Sequence, residues 1–190
     1  MMLQLKRRLL LLCSLALILI AVFAVNAVVG GALNRFGIQP REASAWFHIV
    51  LAPFVHSEWW HLFNNLTGLL MLSLISLRHS VRQYLMASVF IVVVSGALVW
   101  LFARPAIHIG ASGWIFGLWA WQIALALFAR SFVNVMVALL VVFAYGGLVY
   151  GLLPNHPGVS FEAHIAGAVA GGLFAFLSSL SRGKPETEIE

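Results

Sequence analysis

The feature that most constrains this chain is a succession of apolar runs, each about as long as a bilayer is thick, with nearly all charges at their ends. The first, LLLLCSLALILIAVFAV from Leu9, sets the pattern. In hydrocarbon a backbone must satisfy its own hydrogen bonds, which only helices and closed barrels do. Barrel strands alternate apolar and polar residues with period two. These runs are continuous, so helices are predicted. Roughly 20 apolar residues cross a bilayer. On that basis six spans are expected, at about 9–29, 59–77, 83–103, 111–129, 132–153 and 161–180. The fold class is therefore all-α: a polytopic membrane protein of six transmembrane helices. Residues 1–190 would form a single membrane domain with short tails at both ends. Composition excludes the soluble alternative, with 62% hydrophobic and 9% charged residues, against about half and a quarter in soluble domains.

The formal net charge of +5 does not point to nucleic acid, because the basic residues flank apolar runs instead of lining one amphipathic face. They orient the chain. With both termini cytoplasmic, the inner side would hold eight (Lys6, Arg7, Arg8, Arg78, Arg82, Arg130, Arg182 and Lys184) and the outer side three (Arg35, Arg41 and Arg104). That is a positive-inside bias. Lys6, Arg7 and Arg8 ahead of an apolar run also suit a signal peptide. The run is longer than an h-region and no clear A-x-A site follows, so it is read as a span. Cys13 is the one cysteine and allows no intrachain disulfide.

The connection after the first span is long, and its segment AWFHIVLAPFV at 45–55 is apolar. Eleven residues are too few to cross. An interfacial or re-entrant segment is expected, with Trp46, Trp59 and Trp60 at headgroup depth.

Polar residues inside apolar spans are costly and call for an explanation. They concentrate in three places: HSEWWHLFNN at 56–65, Gly110-Ala111-Ser112-Gly113, and Ala163-His164-Ile165-Ala166-Gly167. These open the second, fourth and sixth spans, which all run from outside to inside. His61, Asn65, Ser112 and His164 would thus share one depth near the outer surface. His61 and Asn65, four apart, lie on one helix face. His164, Ala168, Gly171 and Ala175 make a stripe of small residues below the histidine, and Gly113, Gly117 and Ala124 make another. Small residues let membrane helices approach closely, which would bring Ser112 toward His164. A serine hydroxyl becomes a nucleophile when a base takes its proton. The chain has no aspartate to complete a triad, and Glu162 points away from His164. A Ser–His dyad is the expectation. Ser112 at a helix N-terminus would also present unpaired backbone N–H groups to an oxyanion.

These motifs resemble the rhomboid proteases. The resemblance rests on H-x-x-x-N as His61-Leu62-Phe63-Asn64-Asn65, G-x-S-G as Gly110–Gly113, and A-H-x-x-G-x-x-x-G as Ala163–Gly171. His56, five before His61, matches a further recurrent histidine. Two positions depart: Trp46 is followed by Phe47 instead of arginine, and Phe116 stands where a tyrosine often stacks on the base. The resemblance implies an intramembrane serine endopeptidase with Ser112 as nucleophile and His164 as base. It implies oxyanion stabilisation by His61, Asn65 and the Ser112 backbone, with Gly110, Gly113, Phe116 and His56 lining the site. It implies no cofactor and no metal. Substrates would be transmembrane segments of other proteins, cut at small residues after lateral access beside spans two and five. A bacterial inner membrane, with the site opening to the periplasm, would be the location. The segment 154–160 would cap the site.

Three other readings are open at this stage. A silent rhomboid-like protein would bind membrane clients without cutting them. A rhombosortase-like enzyme would trim C-terminal sorting tails. A metal-binding or transport protein would draw on His48, His56, His61, His108, His156 and His164, although H-S-E-W-W-H does not have the H-E-x-x-H spacing.

Overall fold

Each long apolar run becomes a helix, and the polar cluster residues settle at helix starts. The computed structural model describes residues 2–154 and 158–182. Lys184, His156 and the centre of the 154–160 cap lie outside the described residues. Among the described residues the helices are α1 (Met2–Val28), α2 (His48–Leu51), α3 (Trp59–Ser76), α4 (Val81–Phe102), α5 (Ser112–Phe128), α6 (Phe132–Tyr145) and α7 (Phe161–Arg182). No strand occurs among them; one isolated bridge joins Ile38 and His108. The chain is an all-α membrane bundle.

Two boundaries differ from expectation. α1 starts at Met2 instead of near Leu9, because lysine, arginine and glutamine are good helix formers and do not end a helix. The fifth run, expected as one helix over 132–153, is α-helical to Tyr145 and then 3₁₀ over Gly146–Leu152. Gly146-Gly147 weakens the α-helix there, and the chain tightens as helix ends often do.

α1, α4, α7 and the helix Phe132–Leu152 are each long and apolar enough to cross a membrane. The other two long helices fall short for reasons that bear on function. α5 has 17 residues, about 26 Å against a hydrocarbon core of about 30 Å. α3 has 18 residues, three of them His61, Asn64 and Asn65.

α5 is the axis of the bundle, packed against α3, α4, α6 and α7. Its side chains Trp114, Ile115, Phe116, Leu118, Trp121 and Leu125 are buried. The tightest seam is with α7. A Cβ on Gly167 would lie 2.0 Å from the Gly113 carbonyl oxygen, and one on Gly171 would lie 1.9 Å from that of Gly117. The two backbones therefore touch, as small residues permit in membranes. The α7 partners are Gly167 and Gly171. Of the expected stripe, Gly171 is at the contact, and Gly167 takes the place expected for Ala168.

The segment after α1 does not span. It folds into short helical turns, including α2, and leans on α4, with Ile49 set against Gly96. The Arg41 guanidinium reaches the carbonyls of Leu101 and Ala103 at 3.2 and 2.9 Å, a cation at a helix C-terminus. Trp46, Trp59 and Trp60 are exposed.

Candidate active site

The N-terminal ends of α3, α5 and α7 meet, and glycines make the meeting possible. Gly110, just before α5, has φ 102°, a conformation that costs glycine little and other residues much. A Cβ there would lie 2.5 Å from the His61 ring and 3.1 Å from Asn65 Nδ2. The loop into α5 thus lies directly on the polar face of α3. One turn further on, Gly113 abuts the Ala163 carbonyl of α7.

His56 ties α3 to α5. Its Nε2 accepts from Asn65 Nδ2 at 3.0 Å and from the Ala111 N–H at 3.4 Å. Both donors need a lone pair, so the proton sits on Nδ1 and the ring is neutral. Burial and the neighbouring His61 hold its pKa down, to about 4. The two imidazoles meet edge to face, with centroids 4.9 Å apart. His56 therefore does more than line the site: it positions Asn65 and the first turn of α5.

His164 is fixed from two sides. Its Nδ1 donates to the Gly151 carbonyl at 2.7 Å. The Phe116 ring stacks flat upon it, 4.1 Å between centroids and 5° between planes. A carbonyl only accepts, so Nδ1 carries the proton and Nε2 keeps its lone pair. Ser112, half-buried, lies four residues before Phe116 and so on the same face of α5. No hydrogen bond joins Ser112 to His164 among the described residues. Catalytic hydrogen bonds are often long before substrate binds.

Glu162 makes no hydrogen bond to His164 among the described residues. It pairs with Arg104 at 3.4 Å. His108 is equally committed, to Ser160 Oγ at 2.6 Å and the Arg104 carbonyl at 3.1 Å. Ser160 in turn accepts from the Ala163 N–H and caps α7. His48 bonds the Gly37 carbonyl. Among the described residues no three His, Cys, Asp or Glu side chains converge as metal ligands.

Two contributors escaped sequence reasoning. Gly151 acts through its carbonyl and its lack of a side chain: a Cβ would meet Phe116 at 2.8 Å and His164 Nδ1 at 3.1 Å. Nothing in its letter announces this. Asn26 in the last turn of α1 is buried, and its Nδ2 bonds the His56 carbonyl at 3.0 Å and Asn34 Oδ1 at 2.9 Å. A lone asparagine near the end of an apolar run was the available signal.

The arrangement can do acid–base chemistry. A hydroxyl, a neutral imidazole with a free lone pair, and a set of N–H donors share one end of the bundle. Comparison with known proteins gives the family. The family model described as Rhomboid domain matches residues 43–181. An uncharacterised protein of Mycobacterium tuberculosis, Rv1337, is 33% identical over 164 residues, covering 82% of this chain and 68% of its own. A second relative, ML1171 of Mycobacterium leprae, also uncharacterised, is 31% identical over 156 residues, covering 77% of this chain and 62% of its own. The matched residues run from the segment before α2 to the end of α7 and include His56, His61, Asn65, Ser112, Phe116, Gly151 and His164 but not Asn26: the chain belongs to the rhomboid family.

Proposed function

We propose that this protein is an intramembrane serine endopeptidase that cuts transmembrane segments of other membrane proteins through a Ser112–His164 dyad. The observation that carries this reading is the state of His164. Its Nδ1 is committed to the Gly151 carbonyl and its ring is clamped by Phe116, so Nε2 is presented as a base on the helix packed against the one that begins at Ser112. The Gly151 carbonyl does the orienting that aspartate does in a soluble triad.

The chemistry proceeds in two halves. Ser112 Oγ attacks the scissile carbonyl carbon, and its proton passes to His164 Nε2. The resulting imidazolium is favoured by the Gly151 carbonyl. The tetrahedral oxyanion accepts from the Ser112 backbone N–H and from the Asn65 and His61 side chains. His164 then returns the proton to the leaving amine, and the C–N bond breaks to leave an acyl-Ser112. A water, deprotonated by His164, attacks the acyl carbon and releases the new carboxyl terminus with Ser112 restored.

Topology supports a site at bilayer depth. α5 is shorter than the hydrocarbon is thick, so Ser112 at its end lies below the surface when the helix is centred. With both termini cytoplasmic, by the positive-inside rule, the site opens to the outer side of a bacterial inner membrane. A substrate helix would approach between α3 and α6, since α6 packs on α5 and not along α3. Glycine or proline near the cut would help it unwind and bare the carbonyl.

The test is cleavage of a panel of reporter transmembrane segments by wild type and Ser112→Ala in proteoliposomes. Cleavage by wild type alone is expected, and equal cleavage by both ends the assignment. The missing Ser112–His164 hydrogen bond favours one second reading, a silent binder of membrane clients. Labelling by a fluorophosphonate, lost in Ser112→Ala, separates an active enzyme from that binder.

A further inference from the structure

One cavity of the bundle lies away from the dyad. It is an apolar groove of about 410 Å³ between α1 and α4, open sideways to the bilayer. Leu11, Leu15 and Ile18 line one wall, and Leu85, Val89 and Val93 the other. Trp114 of α5 forms the back. Val50 of α2 and Phe54 close the end nearest the dyad. The groove is thus blind toward the site and runs toward the end where α1 and α4 begin.

That end is cationic. Arg7 precedes Leu11 by four residues and Ile18 by eleven, which places it on the groove face of α1. Arg8 precedes Leu11 and Leu15 by three and seven, and flanks the same face. On α4, Arg82 precedes Leu85 and Val89 by the same intervals. Arg7 and Arg82 are exposed, and the Nε of half-buried Arg8 is buried without a hydrogen-bond partner. Among the described residues the carboxylates are Glu42 and Glu58, just before helices, and Glu162 in the first turn of α7, all at the opposite end of the bundle. Three guanidinium groups therefore stand at the mouth of an apolar groove, and no carboxylate lies at that end among the described residues.

We infer that this groove seats one anionic phospholipid of the leaflet on that side, an acyl chain between α1 and α4 and the phosphate held by Arg7, Arg8 and Arg82. The groove runs along the bundle between two helices and is closed at one end, the shape of an extended chain. An acyl chain is narrow enough, and it suits a wall that is apolar apart from Ser14, Tyr84 and Ser88. The arginines supply the headgroup preference, since each basic side chain near an anionic surface strengthens binding about five-fold. Arginine also grips phosphate through paired N–H donors. This assignment stands apart from the proteolytic reading, because it uses neither Ser112 nor His164.

The test uses purified full-length protein in detergent, titrated with phosphatidylglycerol or phosphatidylcholine carrying a photoactivatable acyl chain. Native mass spectrometry counts retained lipid, and peptide mapping locates the crosslinks. One retained phosphatidylglycerol per chain is expected, crosslinked within 11–18 and 85–93. Combined Arg7→Gln, Arg8→Gln and Arg82→Gln should lower its retention at least ten-fold. Val89→Trp should displace it with the arginines intact. The wild-type crosslink map needs no variant and so stands even if one misfolds. Equal retention of the two lipids, crosslinks spread evenly over the helices, competition by glycerol phosphate as effective as by the lipid, or displacement by a transmembrane peptide would each overturn the assignment.

Discussion

The two ends of the bundle differ in which polar side chains they leave unbonded. Where α3 and α5 end and α6 begins, polar side chains are cross-bonded. Arg78 Nη2 donates to Asn134 Oδ1 at 2.8 Å and to Gln122 Oε1 at 3.3 Å. Gln122 Nε2 donates to Ser76 Oγ at 2.9 Å, and Asn134 Nδ2 bonds the Ala129 carbonyl. Four segments are stitched by groups that satisfy one another. At the other end His61 and Ser112 make no hydrogen bond among the described residues, and His164 uses one ring nitrogen and leaves the other open. Burying polar groups in hydrocarbon is tolerable when they are paired. Pairs that close on themselves hold helices together. Groups left open are poised for something that arrives later.

That contrast can be broken experimentally. The largest expected effect is His164→Ala, which should cut turnover by about 10⁴-fold or more with little change in the thermal unfolding midpoint in detergent. A matching collapse of stability would make His164 a structural residue. Gly110→Ala comes next. Its Cβ would intrude on the His61 ring, and displacing one oxyanion donor typically costs about 10²-fold or more in rate. Steady-state cleavage should show this mainly in kcat. Gln122→Leu is the mirror experiment. It strands Ser76 and one Arg78 contact, so stability should fall by about 1–3 kcal/mol with turnover per folded molecule nearly unchanged. Abolished turnover without loss of stability would erase the division between the two ends.

Smaller effects sharpen it. Phe116→Leu removes a stack worth about 0.5–1.5 kcal/mol, so kcat should drop about two- to ten-fold, while Phe116→Tyr should be nearly neutral. Stability should also depend on pH through His56. His56 titrates near pH 4 in the fold and near 6.5 when unfolded. The unfolded chain therefore binds the proton first as pH falls. The stability His56 contributes is fully present above about pH 6.5 and is lost as pH falls from there through about 4. His56→Asn should flatten that part of an unfolding-versus-pH profile.

Much of this was legible in the letters, for physical reasons. Bilayer thickness turns run length into helix count, and α3, α4, α5 and α7 fall within a few residues of their expected limits. Ser112, His61, Asn65 and His164 were conspicuous because a polar residue in an apolar run has few structural excuses. The rest was hidden where the acting group is backbone. The Gly151 carbonyl that orients His164 belongs to a residue without a functional side chain, in a 3₁₀ turn that an apolar run of that length conceals. At the α7 seam Gly113, Gly117 and Gly171 were legible but Gly167 was taken for its neighbour Ala168, since alanine and glycine are both small and only the backbone approach tells them apart.

The glycine seam between α5 and α7 has a mechanical consequence. Side chains hop between rotamers, but two main chains in van der Waals contact have no such freedom. Ser112 and His164 each sit within one turn of that seam, so their separation inherits the stiffness of the paired backbones. A change in bilayer thickness would tilt the two helices together as one strut and leave the spacing of Ser112 and His164 unaltered.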